Sequence, residues 1–336
     1  MNARLLGIIA TALIATASQA QTYTVQEVSS GGYANTISNG VVGGTMGNHA
    51  ALWTAAGMLD MNPAGATFSG VNGRSGQISV GFAGTASLNQ WPVIWDGSVA
   101  SILETPFDSI VGRVNNTDGI QAVGYGTEGD PERGLGAQHA LVWDLQTGDV
   151  EDLGKKALVY GVGGGLQTGV ELGGKGSTAC FWSGTRNSAT SLHARFMDDS
   201  VATDTDGEIQ IGYYGSNVRV RREARPREIR FYSAGYWTGS ADSFTNLPNP
   251  YRHSFALAIQ GDTIVGYGNT TNAIGNPIHS HAVAWIGPNR DYIDLHGLLP
   301  FDMLTSRATD VDEDGNIIGY GVTTTGTLKS FIWLRQ

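Results

Sequence analysis

Asn116-Thr117-Asp118-Gly119 leads into Val123-Gly124-Tyr125, then into Ala140-Leu141-Val142-Trp143, and the stretch closes on Asp152-Leu153. An Asx-Gly turn supplies the positive φ angles of a tight hairpin, so the segments around it read as paired strands. The apolar run ending in tryptophan is a third strand, and the segment ending in leucine is a short fourth. This unit recurs. Trp53, Trp95, Trp143, Trp182, Trp237, Trp285 and Trp333 are spaced by 42, 48, 39, 55, 48 and 48 residues, and of the eight tryptophans only Trp91 falls outside the series.

The glycine-bearing strand recurs with them, as Val42-Gly43-Gly44, Val80-Gly81-Phe82, Ile211-Gly212-Tyr213, Val265-Gly266-Tyr267 and Ile318-Gly319-Tyr320. The fourth repeat has a looser version around Leu172-Gly173-Gly174. Four short strands at a period of about 45 residues are the mark of a propeller blade. The seven repeats therefore predict an all-β chain, a seven-bladed β-propeller of four-stranded antiparallel blades. A blade is covered on both faces by its neighbours, which explains why its middle strands lack polar alternation. The last repeat stops after Trp333 without a fourth strand, and Thr22-Tyr23-Thr24-Val25-Gln26-Glu27-Val28 is a strand without a repeat. Pairing the two closes the ring through the N-terminal strand and removes an open edge.

Asp314-Gly315-Asn316-Ile317-Ile318-Gly319-Tyr320, with His281-Ala282-Val283-Ala284-Trp285 and Tyr292-Ile293-Asp294-Leu295 in the preceding repeat, resembles the bacterial extracellular HAF repeat. The resemblance runs over nearly all of the chain after its first twenty residues. It implies export and a propeller-like fold, and it carries no activity with it. Repeats two, four, five and seven depart from the pattern in lacking the histidine.

Residues 1–20 read as a cleavable signal peptide: Arg4, an apolar stretch from Leu5 to Ala15, and the small-x-small Ser18-Gln19-Ala20 before Gln21. That stretch is too short to span a bilayer and no second one follows, so a secreted or periplasmic protein without a membrane span is expected. Residues 21–336 are read as one domain. The 48 glycines are about twice the ordinary share. A formal charge of −10 argues against nucleic-acid partners. The single cysteine, Cys180, lies in an apolar run and excludes an internal disulfide framework, leaving the core to hold a monomer together.

Several residue groups could carry function. Six arginines, Arg219, Arg221, Arg222, Arg225, Arg227 and Arg230, crowd a protruding hairpin in the longest repeat. Arginine forks suit carboxylate, sulfate or phosphate, so an acidic glycan or another anionic surface ligand is the expected partner. Tyr251-Arg252-His253 enters the sixth repeat with the residue types a polysaccharide lyase needs, which makes a glycan-active enzyme the alternative to a non-enzymatic binding module. His49, His139 and His281 share one place in their repeats, which points to a repeated local hydrogen bond. His279 and His281 would face one side of a strand, a geometry open to a metal but lacking an evident third ligand. Asp310, Asp312 and Asp314 spell the start of a calcium loop without its closing glutamate, and an ordinary hairpin is the favoured reading. No cofactor is expected.

Overall fold

The computed structural model describes residues 22–86, 89–130, 134–173, 176–220, 227–272 and 276–336. The expected signal segment lies outside them. The described residues are all-β apart from three short 3₁₀ turns. β1 (Tyr23–Ser30) comes first, followed by an antiparallel sheet of β2 (Gly32–Ser38), β3 (Val41–Met46), β4 (His49–Thr54) and β5 (Gly57–Asp60). Next come β6 (Phe68–Ser75), β7 (Ile78–Ala86), β8 (Asn89–Asp96) and β9 (Val99–Ile102), then β10 (Ser109–Thr117), β11 (Gln121–Asp130), β12 (Gly134–Asp144) and β13 (Val150–Lys155). A single parallel bridge, Val111 to Gln90, joins these two groups into one eight-stranded sheet.

Three further four-stranded sheets follow. They are β14 (Ala157–Gly163) to β17 (Thr190–Ser191), with β15 (Leu166–Gly173) and β16 (Gly176–Trp182) between; β18 (Asp199–Thr205), β19 (Gln210–Val220), β20 (Arg227–Trp237) and β21 (Thr245–Asn246); and β22 (His253–Gln260), β23 (Thr263–Thr271), β24 (Pro277–Ile286) and β25 (Asp291–Asp294). The last sheet holds β26 (Met303–Val311), β27 (Ile317–Thr323) and β28 (Leu328–Arg335), with β1 as its outer strand. β1 pairs antiparallel with β28 from Tyr23 opposite Arg335 to Ser30 opposite Lys329. Each tryptophan of the series lies on the third strand of its group.

The recurring glycine has one steric cause. Gly44, Gly81, Gly124, Gly169, Gly212, Gly266 and Gly319 are equivalent. A Cβ there would collide with the carbonyl oxygen of Tyr33, Gly70, Arg113, Leu158, Val201, Phe255 and Arg307 respectively. The register shift of a β-bulge starts one residue after each of those carbonyls, for example between Ala34 and Thr36, Val114 and Asn116, or Ala308 and Asp310. A bulge bends and twists its strand, and the bent first strand presses its carbonyl against the second. This corrects the sequence reading of the fourth repeat. Its motif glycine is Gly169, within Thr168-Gly169-Val170; Gly173 has only the Gly176 carbonyl near its Cβ position, at 3.7 Å.

The core has no single centre. It is divided into apolar layers between consecutive groups, such as Val80, Val114, Ala122, Leu141 and Trp143 between the second and third. One layer, Ala34, Ile37, Val42 and Ile318, joins the first group to the last. Tryptophan ties some layers further: the indole N–H groups of Trp95, Trp143, Trp285 and Trp333 donate to Met61, Glu104, Pro248 and Leu295 carbonyls in the preceding group or its exit loop.

A second set of bonds runs between the bulges. Asn35 donates to the Val71 carbonyl, Asn72 to Val114, Asn115 to Val159, Thr203 to Ala256 and Thr309 to Ala34, at 2.6–3.0 Å. Each links one group's bulge to the next group's first strand, and the Thr309 bond links last to first. Each is worth about 1 kcal/mol, and more where its loss leaves a buried carbonyl unpaired.

Candidate ligand-binding channel

The first strands β2, β6, β10, β14, β18, β22 and β26 converge. At their turn ends they line a common cavity of about 720 Å³. Its lining includes seven acidic side chains, Asp118, Asp204, Asp206, Glu208, Asp262, Asp310 and Glu313, against two arginines, Arg74 and Arg290. Asp204 and Asp310 hold the same bulge position in β18 and β26. Asp310 Oδ2 accepts the Ile37 amide at 2.9 Å and the Thr36 hydroxyl at 2.7 Å, while Asp204 Oδ2 accepts the Ile259 amide at 3.1 Å. The Asn116 side-chain amide reaches Asp204 Oδ1 at 3.3 Å. Burial holds the Asp204 carboxyl well above the usual carboxylate range, and the Asp310 charge raises it further. Burial likewise pushes Asp310 up to about 6, against three hydrogen bonds that favour its charged form.

Three residues earlier in the same strands the chemistry reverses. The positions whose carbonyls press on the glycines carry Tyr33, Arg113, Phe255 and Arg307, and their side chains meet the aromatic that follows the preceding group's glycine. Arg113 lies over Phe82, 4.0 Å from the ring centroid, and Arg307 lies over Tyr267 at 4.3 Å. Tyr33 meets Tyr320 edge-on at 5.0 Å and Phe255 meets Tyr213 at 4.8 Å. Phe255 also stacks on Tyr267 at 4.7 Å. Beside this belt is a cavity of about 520 Å³, whose lining includes Tyr33, Tyr320, Arg307, Asn269, Ser280 and Thr305. Aromatic faces, a stacked guanidinium, an amide and hydroxyls suit a polar, acid-bearing ring.

The arginine-rich segment runs along two long paired strands, β19 and β20, with Arg219 opposite Glu228 and Val220 opposite Arg227. Arg221, Arg222 and Arg225 lie outside the described residues, as do the side chains of Arg219 and Arg227. Arg230, at the base, pairs with Asp199 at 3.1 Å and lies 5.8 Å from the Tyr232 ring centroid.

Tyr251, Arg252 and His253 point to different partners. The Tyr251 hydroxyl is 3.2 Å from His281 Nδ1, Arg252 lies over Phe231 at 5.6 Å, and His253 is buried against Phe231 and Tyr232. His49 and His139 make the same local bond, Nδ1 to Asp60 at 2.8 Å and to Asp152 at 2.6 Å. His281 departs from them: its ring stacks on His296 at 3.8 Å. Desolvation lowers both imidazoles, His296 to about 4. Asp312 caps its own turn by accepting the Asp314 and Asn316 amides, while Asp310 turns away to Thr36 and Ile37. Among the described residues no group of three His, Cys, Asp or Glu side chains could hold a metal. Cys180 is buried, and burial pushes its thiol up.

Arg113 and Arg307 were not singled out from sequence. The available signal was their place one residue before the first-strand bulge, in register with Tyr125 and Tyr320 of the glycine motif.

No family model matches this chain, and no curated protein does. Among solved structures, oligogalacturonate lyase from Vibrio parahaemolyticus is similar, with 11% identity over 94% of this chain and 92% of that one, at a TM-score of 0.54. The tricorn protease is similar at 11% identity and a TM-score of 0.53; 94% of this chain is covered, corresponding to 34% of that one. The β-propeller domain of the trilobed protease from Pyrococcus furiosus gives 12% identity over 81% of this chain and 95% of that domain, at 0.44. Likeness at such identity speaks to the fold alone, and the fold that these neighbours support is a β-propeller.

Proposed function

We propose that this chain is an exported, monomeric, seven-bladed β-propeller closed by β1, and that it acts as a non-enzymatic binding module for an acidic glycan or a similar anionic extracellular partner. The seven-fold recurrence of tryptophan, glycine and bulge supports the blade count, with the bridge between β8 and β10 read as a contact between two blades. The pairing of β1 with β28 and the Thr309 bond to Ala34 support closure. Export rests on the leader-like residues 1–20 and on the HAF-like repeats.

The observation that carries the binding reading is Arg307, placed over the Tyr267 ring and lining the cavity that Tyr33 and Tyr320 border. A guanidinium stacked on a ring keeps its in-plane N–H groups free to grip an oxyanion. The arginine-rich hairpin adds positive charge to a protein that is negative overall.

A lyase is the second reading, favoured by one observation. Tyr251 touches a stacked pair of imidazoles, His281 and His296, whose lowered basicity keeps them neutral at pH 7. A neutral imidazole beside a phenol can accept a proton, and the likeness to oligogalacturonate lyase makes uronate polymers the substrates to try. Incubating the mature protein with acidic and neutral polysaccharides, with ultraviolet detection of unsaturated uronate beside affinity electrophoresis, tests both readings. Retardation by an acidic polymer with no absorbance change is expected. Absorbance growth that His281→Ala abolishes would replace the binding module with the enzyme.

A further inference from the structure

Arg113 and Arg307 occupy the same position in β10 and β26, each one residue before its bulge and in register with a motif tyrosine. The first strands touch in the order β26, β2, β6, β10 on one side and β10, β14, β18, β22, β26 on the other. Two strands separate the arginines one way round and three the other, so the two positions lie on opposite sides of the channel. The remaining positions of that level are Tyr33, Gly70, Leu158, Val201 and Phe255, so these two carry its only cationic side chains.

Among the described residues neither guanidinium has a carboxylate partner. No described Asp or Glu lies within ion-pair distance of either, although the chain has 30 acidic residues to 20 basic. Arg113 Nε is buried and makes no hydrogen bond. A partly desolvated cation without a counter-charge is costly, and its ring contact offsets only part of that cost. Both side chains remain partly exposed, so an incoming anion can reach them. Deeper in the same channel the lining is rich in other acidic side chains, Asp118, Asp206, Glu208 and Asp262 among them, which disfavours an anion below the level of the arginines.

We infer that Arg113 and Arg307 form a two-point anion site across the channel mouth, and that the ligand is an acidic oligosaccharide bearing acid groups on separate sugar residues. This rests on the binding-module reading above and specifies its ligand class. One acid group pairs with Arg307 beside the cavity of Tyr33 and Tyr320, and a second pairs with Arg113 above Phe82. Carboxylate and sulfate share the geometry the forks recognise.

Calorimetric titration of the mature protein tests this, using a uronate tetrasaccharide, its monosaccharide and a sulfate-only galactan tetrasaccharide. At least one tetrasaccharide is expected to bind more tightly than the monosaccharide, and which one identifies the acid group. Arg113→Gln and Arg307→Gln should each weaken that tetrasaccharide about tenfold or more. Arg113→Gln should also reduce the salt dependence of tetrasaccharide binding. Arg113→Lys and Phe82→Leu, which keep the charge but lose the fork or its platform, should fall between and serve if the glutamine variant does not fold. Wild-type tetrasaccharide affinity in Arg113→Gln, or in both substitutes, with loss only in Arg307→Gln, overturns the two-point site and leaves the binding module standing. Failure of the wild type to bind any acidic sugar overturns both.

Discussion

Asp310 Oδ2 accepts the backbone amide of Ile37 at 2.9 Å, so a carboxylate in the last β-sheet group holds the first strand of the first. Glu313 reinforces the same seam by accepting the Ser38 hydroxyl and the Asn39 amide. In the proposed propeller these bonds sit where the two ends of the chain meet.

That seam should respond to pH. Asp310 has a folded-state pKa of about 6, raised from 3.8 mainly by burial. The native state therefore prefers the protonated form. The stability associated with this group is fully present below about pH 4, declines as pH rises toward 6, and is lost above it. Thermal melts of wild type and Asp310→Asn should diverge across that window. The asparagine variant should gain about 1–3 kcal/mol relative to wild type between pH 4 and 7. Parallel pH profiles for the two proteins would rule out Asp310 as the source.

Glycine at the motif position is required by the facing carbonyl. Gly169→Ala should cost about 2–4 kcal/mol through overlap with the Leu158 carbonyl, whereas Gly173→Ala, whose Cβ meets the Gly176 carbonyl at an ordinary contact distance, should change stability by less than about 1 kcal/mol. Denaturant titrations of the two variants check the register of the fourth repeat directly. Equal effects would contradict it.

The bonds between bulges should matter singly. Thr309→Val removes the donor to the Ala34 carbonyl and should destabilise by about 1–2 kcal/mol in chemical denaturation. A neutral substitution would show that the apolar layer of Ala34, Ile37, Val42 and Ile318 holds the seam without it.

Removal of residues 22–30 would expose β28 as an open edge. A fall in melting temperature of more than about 10 °C, with loss of a single cooperative transition, is expected. An unchanged melt would count against the proposed closure by β1.

What was legible in the sequence followed from repetition. Tryptophan and glycine recur because each group solves the same packing problem, so Trp143 and Gly124 announce the fold wherever their equivalents appear. The shared local bond of His49 and His139 could be expected for the same reason. The fourth repeat was misread because glycines at 161, 163, 164, 165, 169, 173, 174 and 176 offer several registers, and only the bulge in β14 selects Gly169. Tyr251, Arg252 and His253 read together as one group at the entry to the sixth repeat. Tyr251 instead precedes β22, in a turn where its amide bonds the Asn249 side chain, so its side chain parts from that of His253. Arg113 and Arg307 stayed invisible because their position is Tyr, Gly, Leu, Val or Phe in the other repeats. Nothing marks them until strand pairing sets them opposite the motif tyrosines.

The most direct test is the affinity of the mature protein for acidic polysaccharides with and without Arg307, measured as retardation in gels containing a uronate, a sulfated or a neutral polymer. Retardation by an acidic polymer alone, abolished in Arg307→Gln while the melting temperature stays within about 2 °C of wild type, is the predicted result. Equal mobility of wild type and variant in every gel, or retardation by the neutral polymer alone, would contradict an anion-binding face at this end of the channel.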